Sequence, residues 1–150
     1  MKRLFGCLVP ALVILTFSHA CAQSLDNQER CSIQAKKEYD QWKADYNSEL
    51  AKFQMKDSEV SGQYQSHFNT KIAKCLMLLT VHHSDLSREV ILEDAFELRV
   101  YADYTWVPSA TKKYWEVPPV ICELIPNTRD KKSCSKTDEF DAFVANYLEE

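Results

Sequence analysis

Beyond residue 22 the side chains best able to move a proton or hold a metal near neutral pH are His67, His82 and His83, with Asp85, Glu93 and Asp94 near the last two in sequence. Two imidazoles reach one face of a helix through an H-x-x-x-H or H-E-x-x-H spacing, and neither occurs. On a strand, neighbouring side chains point to opposite sides, so His82 and His83 do not converge on one ion. Ser66 beside His67 has the residue types of a nucleophile and its base, yet no G-x-S-x-G elbow and no third partner accompany them. The carboxylate pairs Glu93-Asp94 and Asp138-Glu139 suit a solvated strand end and a helix start better than acid–base work. The expectation is therefore no catalytic residue, no metal and no cofactor, with a small hydrolase acting through His67 or His82 as the enzymatic alternative.

The aromatic residues point elsewhere. Tyr101 falls on the polar side of an alternating segment, and Tyr114-Trp115 stand in a connection bounded by Pro108 and Pro118-Pro119. Tyrosine and tryptophan bury much area with few rotatable bonds, which suits them to recognition surfaces. Tyr101, Tyr114 and Trp115 are thus the candidate binding residues, the competing role being a plug over the open end of the core.

Composition narrows the classes further. The 150 residues hold two glycines, Gly6 and Gly62, where average usage gives about ten. A loop that wraps a phosphate needs a cluster of glycines, so glycine-loop nucleotide binding is excluded. The net charge of −4 gives no basic footprint for nucleic acid.

Lys2-Arg3, the apolar run Leu4 to Phe17 and the small residues after it have the order of an export leader, too short to span a membrane. Cleavage after Ala22 assigns 1–22 to a signal peptide and 23–150 to a single domain. The alternative is a lipoprotein-like signal, with Cys21 as lipidated terminus anchoring the domain in the envelope. Losing Lys2 and Arg3 leaves 16 basic residues against 22 acidic, a net −6, which disfavours anionic partners. Either route leaves Cys31, Cys75, Cys122 and Cys134 in an oxidising space, hence two disulfides. A hairpin centred on Thr128 sets Cys122 opposite Cys134, which leaves Cys31 for Cys75.

The positioning elements follow from periodicity. Cys31, Ala35, Tyr39, Trp42, Tyr46, Leu50 and Phe53 make one stripe of a helix over 27–55, opened by Asp26 and Glu29. A turn is expected around Gly62, a short helical stretch at Ser66 to Asn69 and a buried strand over Cys75 to Val81. A long alternating strand over 92–106 and another over 120–125 follow. Phe140, Phe143, Val144, Tyr147 and Leu148 stripe a second helix over 138–148, with Thr137 as its cap. The fold class is α+β: a long N-terminal helix, an antiparallel sheet of three to four strands and a C-terminal helix, both helices on one sheet face.

Cys31, Ser66-His67-Phe68-Asn69, Lys74-Cys75, Val100-Tyr101-Ala102 and Glu139-Phe140-Asp141 resemble short blocks in small exported bacterial proteins of uncharacterised function. The resemblance implies compartment and architecture and carries no activity. The functional expectation is an exported, non-enzymatic binding domain of the bacterial envelope or extracellular space. Its partner would be a protein or envelope component, and a protein inhibitor of a secreted enzyme is the main alternative.

Overall fold

A computed structural model describes residues 14–52, 60–127 and 129–149, with side-chain surroundings from Leu25 onward. The start of the expected leader, Cys7, the side chain of Cys21, Phe53 at the expected helix end and the expected hairpin centre Thr128 lie outside this description. The elements run α1 (Ile14–Lys52), β1 (Ser61–Asn69), β2 (Lys74–His82), β3 (Arg88–Asp94) and β4 (Val100–Trp106), followed by a 3-10 turn at Tyr114–Glu116. Then come β5 (Ile121–Leu124), β6 (Lys132–Ser133) and α2 (Thr137–Leu148). The six strands form one antiparallel sheet in chain order, an α+β meander with a helix at either end of the chain.

Two sequence readings account for the higher strand count. Ser61–Asn69, expected as a turn and a helical stretch, is a nine-residue strand paired along its whole length with β2. The segment 92–106 is not one strand: its alternation runs by coincidence through a turn, where Leu98 takes a left-handed φ of 53°. Phe96 and Leu98, expected in the core, are 56% and 58% exposed at that turn. A register shift at Leu92/Glu93 then rotates the start of β4, and Tyr101 enters the core at 3% exposure against Tyr147.

Turns are made almost without glycine. Asn69 Oδ1 accepts from the Ile72 N–H, Asp85 from Ser87, Asp94 from Phe96 and Glu97, and Asn127 from Arg129 and Asp130. In each case a short polar side chain substitutes for a backbone acceptor and fixes the bend. Gly62, expected at a turn, lies inside a strand and has no positive φ. It lies in β1 because Trp42 packs onto it, and a Cβ there would sit 2.6 Å from the Trp42 ring.

The helices cover opposite faces, which corrects the single-face arrangement. On one side Cys75 and Met77 of β2, with Tyr64 and Phe68 of β1, meet Cys31, Ala35 and Tyr39 of α1. On the other, Leu76, Leu92, Ala102, Tyr104 and Cys122 meet Phe140 and Val144 of α2. The physical reason is visible in β2: Cys75 to Val81 is apolar without alternation, the pattern of a strand buried on both faces. Beyond the reach of α1, its face of the sheet carries Glu89, Asp103 and Glu123, a solvated acidic ladder.

The cysteines pair as Cys31–Cys75 and Cys122–Cys134, each with Cα atoms 5.1 Å apart. That separation is ordinary for a disulfide. Pairings of Glu123 with Ser133 and Leu124 with Lys132 give the hairpin symmetry that brings Cys122 to Cys134. Two such bridges are the chemistry of an oxidising compartment. Among the described residues no helix is long and apolar enough to cross a membrane.

Candidate functional site

Between β4 and β5 the chain leaves the sheet for residues 107–120, and this loop is held rigidly. Pro118 and Pro119 force extended backbone around themselves, and the preceding 3-10 turn closes through Glu116 N–H to the Lys113 carbonyl at 2.9 Å. Glu116 also accepts from the Lys113 N–H at 3.1 Å. Trp106 donates its indole N–H to the Val117 carbonyl at 3.2 Å, and the Val120 N–H returns to Thr105 at 2.8 Å. The loop is thereby tied to the sheet at both ends.

Tyr114 and Trp115, adjacent in sequence, have different fates. The Tyr114 ring lies 4.8 Å from the Trp106 ring, and its hydroxyl reaches the Thr137 Oγ1 at 3.3 Å. Thr137 Oγ1 also meets the Tyr104 hydroxyl at 2.9 Å. Burial, the largest influence on Tyr104, pushes its phenol up from the ordinary value. Tyr114 is therefore tied to the sheet and to the start of α2 while remaining 46% exposed, so it does not plug the core. Trp115 is 74% exposed, with the Lys113 ammonium 5.2 Å over its ring.

Trp115 lines a groove of about 300 Å³ together with Tyr114, Glu116, the apolar Val117, Pro118 and Pro119, and the chain entering α2, from Ser135 to Asp138. Lys136, not the expected Thr137, occupies the cap position of α2, and no side chain caps it. Glu139 reaches back instead to the Ser135 N–H at 2.9 Å, a favourable place for negative charge. The groove is aromatic and proline-rich, with Lys136 and Asp138 as opposite charges in its lining.

Of the three candidate binding residues the structure brings Tyr114 and Trp115 together and removes Tyr101, which is buried near the opposite end of β4. The contribution of residues 135–138 was not foreseen. Their only sequence signal is a polar stretch before the α2 stripe, which says nothing about a loop lying across from it.

The histidines do not assemble a site. Ser66 and His67 leave β1 on opposite faces, so they cannot act as a nucleophile and base on one substrate. His83 stands 3.8 Å from Glu89 and beside the Tyr46 ring, whereas His82 is exposed at the end of β2. Among the described residues no three His, Cys, Asp or Glu side chains are grouped as a metal site requires. Searched against family models, curated sequences and solved structures, the chain matches none.

Proposed function

We propose that this chain is an exported, non-enzymatic binding domain that takes a segment of a protein partner into the groove beside Trp115. The single observation that carries the reading is the split between neighbours: Tyr114, half exposed, is tied to Trp106 and Thr137, whereas Trp115 is presented to solvent with the Lys113 ammonium over its ring. An exposed tryptophan on a pre-formed loop loses little conformational freedom when it is covered, which is how recognition hot spots gain their affinity. A groove of about 300 Å³ fits a few residues of extended peptide and lies at the small end of ligand sites. Its apolar lining and opposite charges suit a segment with an apolar anchor flanked by polar residues.

Export is part of the proposal, as is the anchoring mode. The leader at 1–22, either removed or replaced by a lipid on Cys21, delivers the domain to the oxidising space that its two disulfides require. One observation favours the inhibitor variant of this reading: the loop is rigid and projects from an acidic domain. An inhibitor of a basic secreted enzyme would bind one to one and weaken as salt rises.

The experiment is a selection of random displayed peptides on the immobilised protein, with Trp115→Ala as the counter-selected surface. Peptides that bind the parent, fail on Trp115→Ala and recover on Trp115→Phe support the groove. Peptides that bind parent and Trp115→Ala alike remove it.

A further inference from the structure

The two edges of the sheet are built differently. β6 is two residues long, opens on Lys132 and is preceded by Lys131, the usual protection of an edge against pairing. At the other edge β1 runs nine residues, SGQYQSHFN, with no charge and no proline. Three hydrogen bonds fix which of its backbone groups face outward. The Phe68 N–H donates to Gln28 Oε1 at 2.8 Å, the Gly62 carbonyl accepts from the Tyr39 hydroxyl at 2.6 Å, and the Cys75 carbonyl is turned to the Ala95 N–H at 2.8 Å. Phe68 opposite Cys75 is therefore a non-hydrogen-bonded pair, and by alternation Gly62, Tyr64, Ser66 and Phe68 all turn their N–H and C=O groups away from β2.

Helix α1 occupies two of these outward groups, the Phe68 N–H and the Gly62 carbonyl. The Gly62 N–H, both groups of Tyr64, both groups of Ser66 and the Phe68 carbonyl have no partner among the described residues. This pattern is its own complement. A two-fold axis through Gln65 sets Tyr64 opposite Ser66 of a second copy and Gly62 opposite its Phe68. Every open N–H then meets an open carbonyl, and the two occupied groups face each other. Centring the pairing on Tyr64 or on Ser66 instead would set an occupied group against an open one. No like charges meet across the axis, since the strand has none.

We propose that β1 pairs antiparallel with β1 of a second copy of this chain, centred on Gln65, joining the two sheets into one with both α1 helices on the same face. Gln28 and Tyr39 mark the ends of the paired stretch. This surface is separate from the groove beside Trp115, so either can fail without the other, and Trp115→Ala leaves the assembly unchanged.

Sedimentation equilibrium on protein purified from the exported fraction of its host tests the proposal. The parent is expected to be a dimer. Gln65→Lys and Gln65→Glu each place like charges directly opposite one another and weaken the dimer by roughly fivefold or more, whereas mixing the two variants restores it as a heterodimer. Ser66→Pro removes one outward N–H without touching the ladder to β2 and gives a monomer of unchanged circular dichroism. If that variant misfolds, the charge pair decides. A parent that stays monomeric, or a dimer indifferent to both charges at Gln65, overturns the proposal.

Discussion

The half of the molecule built on α1 and the half built on α2 fasten their helices in different ways. Cys31 and Ala35, both fully buried, let α1 lie close on β2, and the Cys31–Cys75 bridge joins helix to sheet across 44 residues. α2 has no covalent tie to the sheet. It rests on rings, Phe140 at 5.0 Å from Tyr104 and Tyr147 at 5.3 Å from Tyr101, while the second bridge closes only 12 residues within the β5–β6 hairpin. If the proposed binding function holds, the difference divides stability and recognition between the halves. The covalently fixed half holds the fold, and the half resting on aromatic contacts carries the exposed tryptophan and its groove.

Removing each bridge in turn should break this comparison most visibly. Loop-closure entropy assigns about 4 kcal/mol to the longer loop and about 3 kcal/mol to the shorter. Cys75→Ala is thus expected to lower the melting temperature more than Cys134→Ala, as read by calorimetry without reductant. Equal losses would mean that the two halves are not fastened as unequally as the structure shows.

A smaller effect sharpens the α1 side. Gly62→Ala places a Cβ 2.6 Å from the Trp42 ring, which must shift to admit it, and overpacking of this kind costs about 1–3 kcal/mol. The same substitution with Trp42→Leu should recover most of the loss. Failure to recover would show that Gly62 is required for another reason.

The smallest effect concerns the acidic ladder that α1 leaves uncovered. Burial, then Glu89 and Glu123, push the Asp103 carboxyl above its ordinary value of 3.8. The folded chain therefore holds that proton more tightly than the unfolded chain. Its favourable contribution is complete below pH 3.8 and is lost as pH rises through the raised folded value. Asp103→Asn is expected to raise the melting temperature at pH 7 and to change it little below pH 3.8, in a series of melts across that range.

Both helices, the antiparallel sheet and both cysteine pairings were legible in the sequence, because helical stripes and hairpin symmetry are local patterns, but the start of α1 was not: it begins at Ile14 and runs through Asp26 and Glu29, which were expected to open it. β1 was not, since only Tyr64 and Phe68 mark its core-facing side, with Gly62 and Ser66 between uncharged polar residues as the rest of the pattern. The turn at 95–99 was hidden by alternation that continues through it, so Phe96 and Leu98 were assigned to the core and Tyr101 to the surface. The opposite-face arrangement was written in the unbroken apolar run of β2, although that run alone does not say which helix lies on which side. At the groove the sequence marked Tyr114 and Trp115, and it could not separate them. Only the contact between the Trp106 and Tyr114 rings separates the two.

The most direct test is therefore a paired measurement of melting temperature and of affinity for a groove-selected peptide in Tyr114→Ala and Trp115→Ala. Loss of the Tyr114 ring from Trp106 should cost about 1–2 kcal/mol, several degrees in a domain of this size. Trp115→Ala should leave the melting temperature within about 2 °C of the parent, as for other exposed positions, and weaken the peptide at least about tenfold, a hot-spot loss. A Trp115→Ala protein that melts as early as Tyr114→Ala, or that keeps the parent's affinity, would contradict the division between a fastened half and a recognising half.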